Sequence, residues 1–180
     1  MIVIFEGPDG VGKSTMCERL SRVLDSGSVG VGITYHKESK PGKSIAERLK
    51  RVQLFEERLY DKDLHIYDRA TIIDDFIYEP LFDNIVSLFT CSNFLMFWIK
   101  EMLQKVLIIH LYASLDVLQE RLNSRGDEYV TSDDLIRIVQ LYTMGYEQLD
   151  VKPVFVNSLD DQALDECVDY IKQYVEENKE

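Results

Sequence analysis

Residues 1–15 read MIVIFEGPDGVGKST, an apolar run that breaks into a glycine-rich loop and then turns polar. Gly7, Gly12, Lys13 and Ser14 satisfy the spacing G-x-x-x-x-G-K-[ST]. Such a loop works between a strand and a helix. Its glycines let backbone N–H groups turn inward on a phosphate chain, and the helix N-terminus adds partial positive charge. Both flanks are present, because IVIFE is β-rich and unalternated while KSTMCERLSRVL repeats its apolar residues at helical spacing. The loop predicts a nucleotide site in which Gly7, Gly10, Val11, Gly12, Lys13, Ser14 and Thr15 surround the phosphates of ATP. Lys13 is expected at the β- and γ-phosphates and the Ser14 hydroxyl on Mg²⁺.

The strand signal recurs outward from this loop. IVIF (2–5), LHIY (64–67), VLIIHLY (106–112) and PVFV (153–156) are short apolar runs without alternation, as strands buried on both faces of a parallel sheet should be. VGITY (31–35) is a weaker fifth run. Amphipathic stretches lie between them at 13–25, 43–60, 72–104, 114–123, 132–149 and 160–177. Their alternation predicts an α/β fold, a doubly wound five-stranded parallel sheet flanked by helices, in one domain over residues 1–180.

Composition narrows the function. The 180 residues are 46% hydrophobic and 29% charged, which suits a globular enzyme and not a disordered chain. A net charge of -12 argues against nucleic-acid polymers as partners, because phosphate neutralisation needs a basic face. Cys17, Cys91 and Cys167 are odd in number and far apart, so they predict buried thiols and neither disulfides nor zinc. No basic leader or long apolar span is seen, and the expectation is a cytoplasmic protein with no membrane contact.

FEGPDGVGKST resembles the thymidylate kinase loop E-G-x-D-G-x-G-K-S-T, which carries a carboxylate inside the loop. The resemblance implies that Asp9 hydrogen-bonds the 3′-hydroxyl of a deoxynucleotide; the plainer reading is an Asp that shapes the turn before Gly10. LHIYDRA ends a strand with Asp68, suited to the Mg²⁺ shell, and then Arg69. That pair is similar to the D-R of thymidylate kinases and the E-R of deoxynucleoside kinases, where the arginine binds the acceptor end; a structural ion pair is the alternative. DRATIIDDFIY resembles the deoxynucleoside kinase run E-R-S-x-Y-S-D-R-Y-I-F, which implies that Asp74 lies near the base, whereas Ala70 departs from the D-R-Y of thymidylate kinases.

HKESKPGKS is similar to the thymidylate kinase R-E-P-G-G, with Lys37, Glu38, Pro41 and Gly42 imperfectly in place. VQLFEERLY resembles L-L-F-x-A-x-R, which implies that Phe55 stacks on a pyrimidine and Arg58 bonds it, although Arg58 stands one residue early and Phe55 also suits a core helix face. RLNSRG, within a lid segment around 121–132, places Arg121 and Arg125 one turn apart. In both kinase families such a lid closes over the donor phosphates; the alternative is a solvated basic helix end. Asn157 and Ser158 end the last strand where the donor adenine rests in this fold, with capping the plainer role for Ser158.

The resemblance implies a P-loop phosphotransferase using ATP and Mg²⁺ on a deoxynucleotide or deoxynucleoside. The first expectation is phosphorylation of a dTMP-like pyrimidine deoxynucleoside monophosphate, with Lys13, Asp68, Arg69, Arg121 and Arg125 as catalytic groups and Asp9, Glu38, Phe55, Arg58, Arg69 and Asp74 around the acceptor. The rival is a deoxynucleoside kinase in which Glu38 deprotonates a 5′-hydroxyl, and a non-catalytic nucleotide-binding module is the third reading. LFTCSNFLMFWIKEML (88–103) is apolar nearly all round, which predicts a homodimer contact within residues 82–103; burial inside the subunit is the alternative.

Overall fold

A computed structural model describes residues 1–38, 44–78, 93–125 and 131–179. Five strands form one parallel sheet: β1 (Ile2–Glu6), β2 (Ile33–Lys37), β3 (Leu64–Asp68), β4 (Leu107–Tyr112) and β5 (Val154–Asn157). Their order is β2-β3-β1-β4-β5. Among the described residues the helices are α1 (Lys13–Val23), α2 (Ser26–Val29), α3 (Ile45–Leu59), α4 (Thr71–Tyr78), α5 (Asn93–Leu103), α6 (Leu115–Arg125), α7 (Ser132–Leu149) and α8 (Ala163–Asn178). The predicted α/β class and five-stranded parallel sheet are observed.

Strand position explains which runs were easy to read. β1 and β3 are interior strands and every residue in them is buried. The weak run at 31–35 is an edge strand, β2, half-buried and shifted to end at Lys37. Its register with β3 pairs Lys37 with Asp68, so backbone pairing carries the strand through two polar residues that one-sided burial tolerates.

Successive residues of β1 feed opposite cores. Ile2 and Ile4 face a cluster with Phe55, Tyr67, Ile73, Ile99 and Tyr142. Val3 and Phe5 face a second cluster with Leu20, Leu111, Leu122 and Ile171. Burial of this apolar surface, worth roughly 25 cal/mol per Å², is the main force holding the layers. The stretch 72–104 yields two helices, α4 and α5, and residues 79–92 lie outside the described residues, as does Cys91. Cys17 and Cys167 are buried free thiols. No described helix is long and apolar enough to cross a membrane.

Candidate active site

The loop between β1 and α1 is shaped by backbone that side chains would obstruct. Gly7 has φ 136°, and a Cβ there would stand 2.3 Å from the carbonyl oxygen of Leu111 on β4. Gly12, φ 107°, begins α1 with no side-chain cap and no acidic residue in the first turn. The first N–H groups of α1 therefore face the cleft without a carboxylate to satisfy them, which suits an anion. Lys13 is buried, and its ammonium donates to Gly7 O at 2.5 Å and Pro8 O at 3.0 Å. Burial first, then the charge of Arg69, pushes Lys13 down to about 8, which leaves it protonated at neutral pH.

β3 ends beside the loop, because Phe5 and Asp68 are paired in register. The Ser14 hydroxyl donates to Asp68 Oδ2 at 2.5 Å. A hydroxyl and a carboxylate this close, at the mouth of a phosphate loop, form a hard oxygen set that fits Mg²⁺. A cleft of about 260 Å³ is lined here by Lys13, Ser14, Asp68, Asp9, Arg69 and Glu38, among others. With Arg125, six of the predicted catalytic or acceptor residues thus meet across one opening.

The acceptor wall is built on a bent backbone. Arg69 has φ 70°, uncommon outside glycine, and its N–H donates to Phe5 O at 3.1 Å. From that bend its guanidinium ion-pairs with Asp9 and lies 3.8 Å from Asp74. Burial is the largest influence raising the Asp74 carboxyl to about 6, with Arg69 the main opposing pull. Asp74 Oδ1 is buried without a hydrogen-bond partner among the described residues. Glu38, just beyond β2, accepts from Thr71 N at 2.6 Å and from the Thr71 hydroxyl, so α4 opens on a carboxylate that complements its dipole. Arg51 of α3 steadies that threonine, donating to its Oγ1 at 2.9 Å.

Phe55 and Arg58 are not brought to the cleft. Phe55 is 2% exposed, its ring tilted against Tyr67 at 5.4 Å, and Arg58 donates to the Tyr67 hydroxyl at 2.7 Å. Pro41 and Gly42 lie outside the described residues.

On the donor side, Arg121 and Arg125 project from the end of α6. Arg121 donates to Gly10 O at 3.1 Å and Val11 O at 3.2 Å, while Arg125 lines the cleft. Both border a second hollow of about 430 Å³ with Thr15 and Ser158. Residues 126–130 of the predicted lid lie outside the described residues. Asn157 Oδ1 accepts from Leu159 N at 3.1 Å, which gives it a turn-forming role. The capping role expected of Ser158 is corrected: the N-cap position of α8 is Gln162, whose side chain makes no capping bond, and the Ser158 hydroxyl is buried on the hollow's wall without a partner among the described residues.

Sequence reading passed over Glu6, Thr71 and Tyr142. Glu6 is fully buried at the end of β1, and the Tyr142 hydroxyl sits against it and Gly7 O. A carboxylate closing a five-residue apolar strand was the available signal, since a charge there requires partners. Tyr142 had no local signal, because an apolar helix face hides a hydroxyl that finds its partner only in the fold.

Known proteins share this fold. The AAA domain family model matches residues 3–140. The SPbeta prophage-derived protein YorR of Bacillus subtilis strain 168 is 28% identical over 141 residues, covering 78% of this chain and 79% of the relative. Adenylate kinase of Rhodopirellula baltica is 30% identical over 148 residues, covering 74% and 69%. The structure of B. subtilis YorR in complex with phosphorylated GDP superposes with TM-score 0.71 at 23% identity over 98% of this chain and 96% of that one. That of deoxyadenosine kinase from M. mycoides, with the products dCMP and a flexible dCDP bound, gives 0.58 at 17% identity over 96% and 99%. With a match spanning residues 3–140 around a phosphate loop set between β1 and α1, the chain belongs to the AAA domain family and, through its relation to adenylate kinase, to the P-loop nucleotide kinases.

Proposed function

We propose that this chain transfers the γ-phosphoryl group of Mg·ATP to the 5′-phosphate of a dTMP-like pyrimidine deoxynucleoside monophosphate. The observation that carries the reading is the ion pair of Asp9 with Arg69 on the acceptor side of the loop, with Asp74 behind the arginine. In this reading Asp9 accepts a hydrogen bond from the sugar 3′-hydroxyl. Arg69, held from behind by Asp74, can exchange Asp9 for an incoming phosphate without losing its place. The choice of a pyrimidine rests on the resemblance of the α3 segment alone, because Phe55 is enclosed in the core.

The loop N–H groups and Lys13 would bind the donor phosphates, and Ser14 and Asp68 would hold Mg²⁺, which neutralises phosphate charge when bound. Arg121 and Arg125 would cover the donor and keep water from the γ-phosphate. The acceptor phosphate oxygen attacks phosphorus in line, the bond to the β-phosphate oxygen breaks, and ADP leaves. Positioning and charge neutralisation supply the acceleration, with no covalent enzyme intermediate.

One observation favours a second reading, a deoxynucleoside kinase. The Glu38 carboxylate lines the cleft and is fixed by Thr71, a placement that would let it take the proton of a 5′-hydroxyl. Incubation with ATP and a panel of deoxynucleosides and their monophosphates, with products separated by chromatography, decides between them. Diphosphates formed from monophosphates support the first reading. Monophosphates formed only from nucleosides establish the second, and no ADP with any acceptor removes both.

A further inference from the structure

Glu6 touches three parts of the machinery from inside the sheet. Its Oε1 accepts from Ala70 N at 3.0 Å. Ala70 follows Arg69, whose φ of 70° turns the next N–H inward, so Glu6 satisfies the donor that this bend buries. Its Oε2 lies 3.2 Å from the Tyr142 hydroxyl, and that hydroxyl lies 2.9 Å from Gly7 O. Gly7 O is also the oxygen on which the Lys13 ammonium rests, at 2.5 Å.

The Glu6 carboxyl is fully buried and meets only two neutral donors, the Ala70 N–H and the Tyr142 hydroxyl, with no cation at ion-pair distance among the described residues. Ionised, it would bury a charge without a counter-charge in contact. Gly7 O already accepts from Lys13, and a tyrosine hydroxyl has a single proton to donate. With a proton on Oε2, Glu6 donates to Tyr142, and Tyr142 donates to Gly7 O. The surroundings agree. Burial, followed by the negative charge of Asp74 on α4, holds the Glu6 carboxyl well above the usual carboxylate range, while Ala70 N–H, Lys13 and Arg69 pull the other way. Tyr146 of α7 also faces it. His110, its register partner on β4, is pushed down to about 4 by burial and is neutral at pH 7.

We propose that Glu6 is an uncharged positioning residue that ties the two halves of the site together, holding the Arg69 bend through Ala70 N and, through Tyr142, the Gly7 carbonyl that seats Lys13. The inference rests on the phosphotransfer reading for its kinetic consequence, but not for the state of the carboxyl group.

Three variants and one spectroscopic measurement test it. Glu6→Gln keeps an acceptor for Ala70 N and a donor for Tyr142, so kcat should stay within about threefold of the parent. Glu6→Ala frees the Arg69 bend and should lower kcat about 10- to 100-fold and raise the acceptor KM, in a chain that still unfolds cooperatively. Tyr142→Phe removes the hydroxyl that joins Glu6 to Gly7 O and leaves the Ala70 contact in place, so it should lower kcat with the acceptor KM unchanged. In a chain carrying ¹³C-labelled glutamate, the carboxyl resonance that Glu6→Gln removes should sit at the neutral-acid position at pH 7. A carboxylate resonance there, Glu6→Gln as slow as Glu6→Ala, or Glu6→Ala with the parent's kcat would each overturn the proposal. A parent that makes no ADP with any acceptor would instead sink the phosphotransfer reading, with the resonance still reporting the Glu6 proton.

Discussion

The Asp9 carboxylate and the Arg69 guanidinium, 60 residues apart in the chain, form an ion pair across the floor of the cleft. The loop supplies one partner and the carboxyl end of β3 the other, so the pair closes the acceptor side as soon as β1 and β3 align. Asp9→Asn keeps the side-chain shape and removes the charge. With a monophosphate acceptor, kcat/KM should fall roughly 10- to 100-fold, the worth of a hydrogen bond to a charged group at about 1.5–3 kcal/mol. A 3′-deoxy acceptor has no hydroxyl to lose and should be slowed much less. Equal loss with both acceptors would assign Asp9 to the loop instead.

Lys13 is the buried cation of the loop, and its ammonium occupies the Gly7 and Pro8 carbonyls. Lys13→Ala should reduce turnover by about 100-fold or more, since it removes charge stabilisation developed during transfer. Cooperative unfolding should persist. Turnover near the parent's would show that the loop does not serve catalysis.

Gly7→Ala should destabilise the fold by about 2–5 kcal/mol, the combined cost of a left-handed residue and overpacking. Its Cβ would meet the Leu111 carbonyl at 2.3 Å, a backbone atom that cannot rotate away. Urea unfolding measures this, and a loss under about 0.5 kcal/mol would contradict the strain.

His110 gives the fold a pH dependence. It is 5% exposed, its Nδ1 lies 2.7 Å from the Tyr146 hydroxyl, and burial depresses it to about 4. The unfolded chain takes up a proton near pH 6.5 and the folded one does not. Stability is therefore full above about pH 6.5 and is lost as pH falls from there towards 4, by up to about 1.4 kcal/mol per pH unit. His36 shifts the same way, also to about 4, by burial. Urea titrations at pH 7 and pH 5 should show His110→Gln losing about 2 kcal/mol less than the parent over that interval. Identical losses would show that His110 titrates normally.

On α5, Phe94 is 77% exposed and Phe97 61% exposed. If this face joins two copies, as the apolar stretch through residues 82–103 suggests, light scattering at micromolar concentration should report twice the chain mass. Phe97→Glu should return it to 21.0 kDa. A parent of one chain mass would leave α5 without a dimer role.

The sequence by itself determined the parts of this protein that rest on local backbone rules. The phosphate loop is legible because its glycines, lysine and serine act within eight residues, and interior strands because burial on both faces forces unbroken apolar runs. Even Asp68 and Arg69 could be placed, since a polar pair ending such a run falls at the carboxyl edge where ligands bind. Other assignments depended on what a residue meets after folding. Phe55 lies on a helix face whose partner, Tyr67, is on another element, so a ring able to stack on a base is enclosed in the core. Ser158 proved a wall of the donor-side hollow, and Arg58 a partner of Tyr67. Glu6 is the sharpest case. Nothing within its own strand says whether it carries a charge, because that depends on Ala70, Tyr142 and Asp74, which β3, α7 and α4 bring to it. Buried electrostatics depend on three-dimensional distance and desolvation, and neither is written in sequence separation.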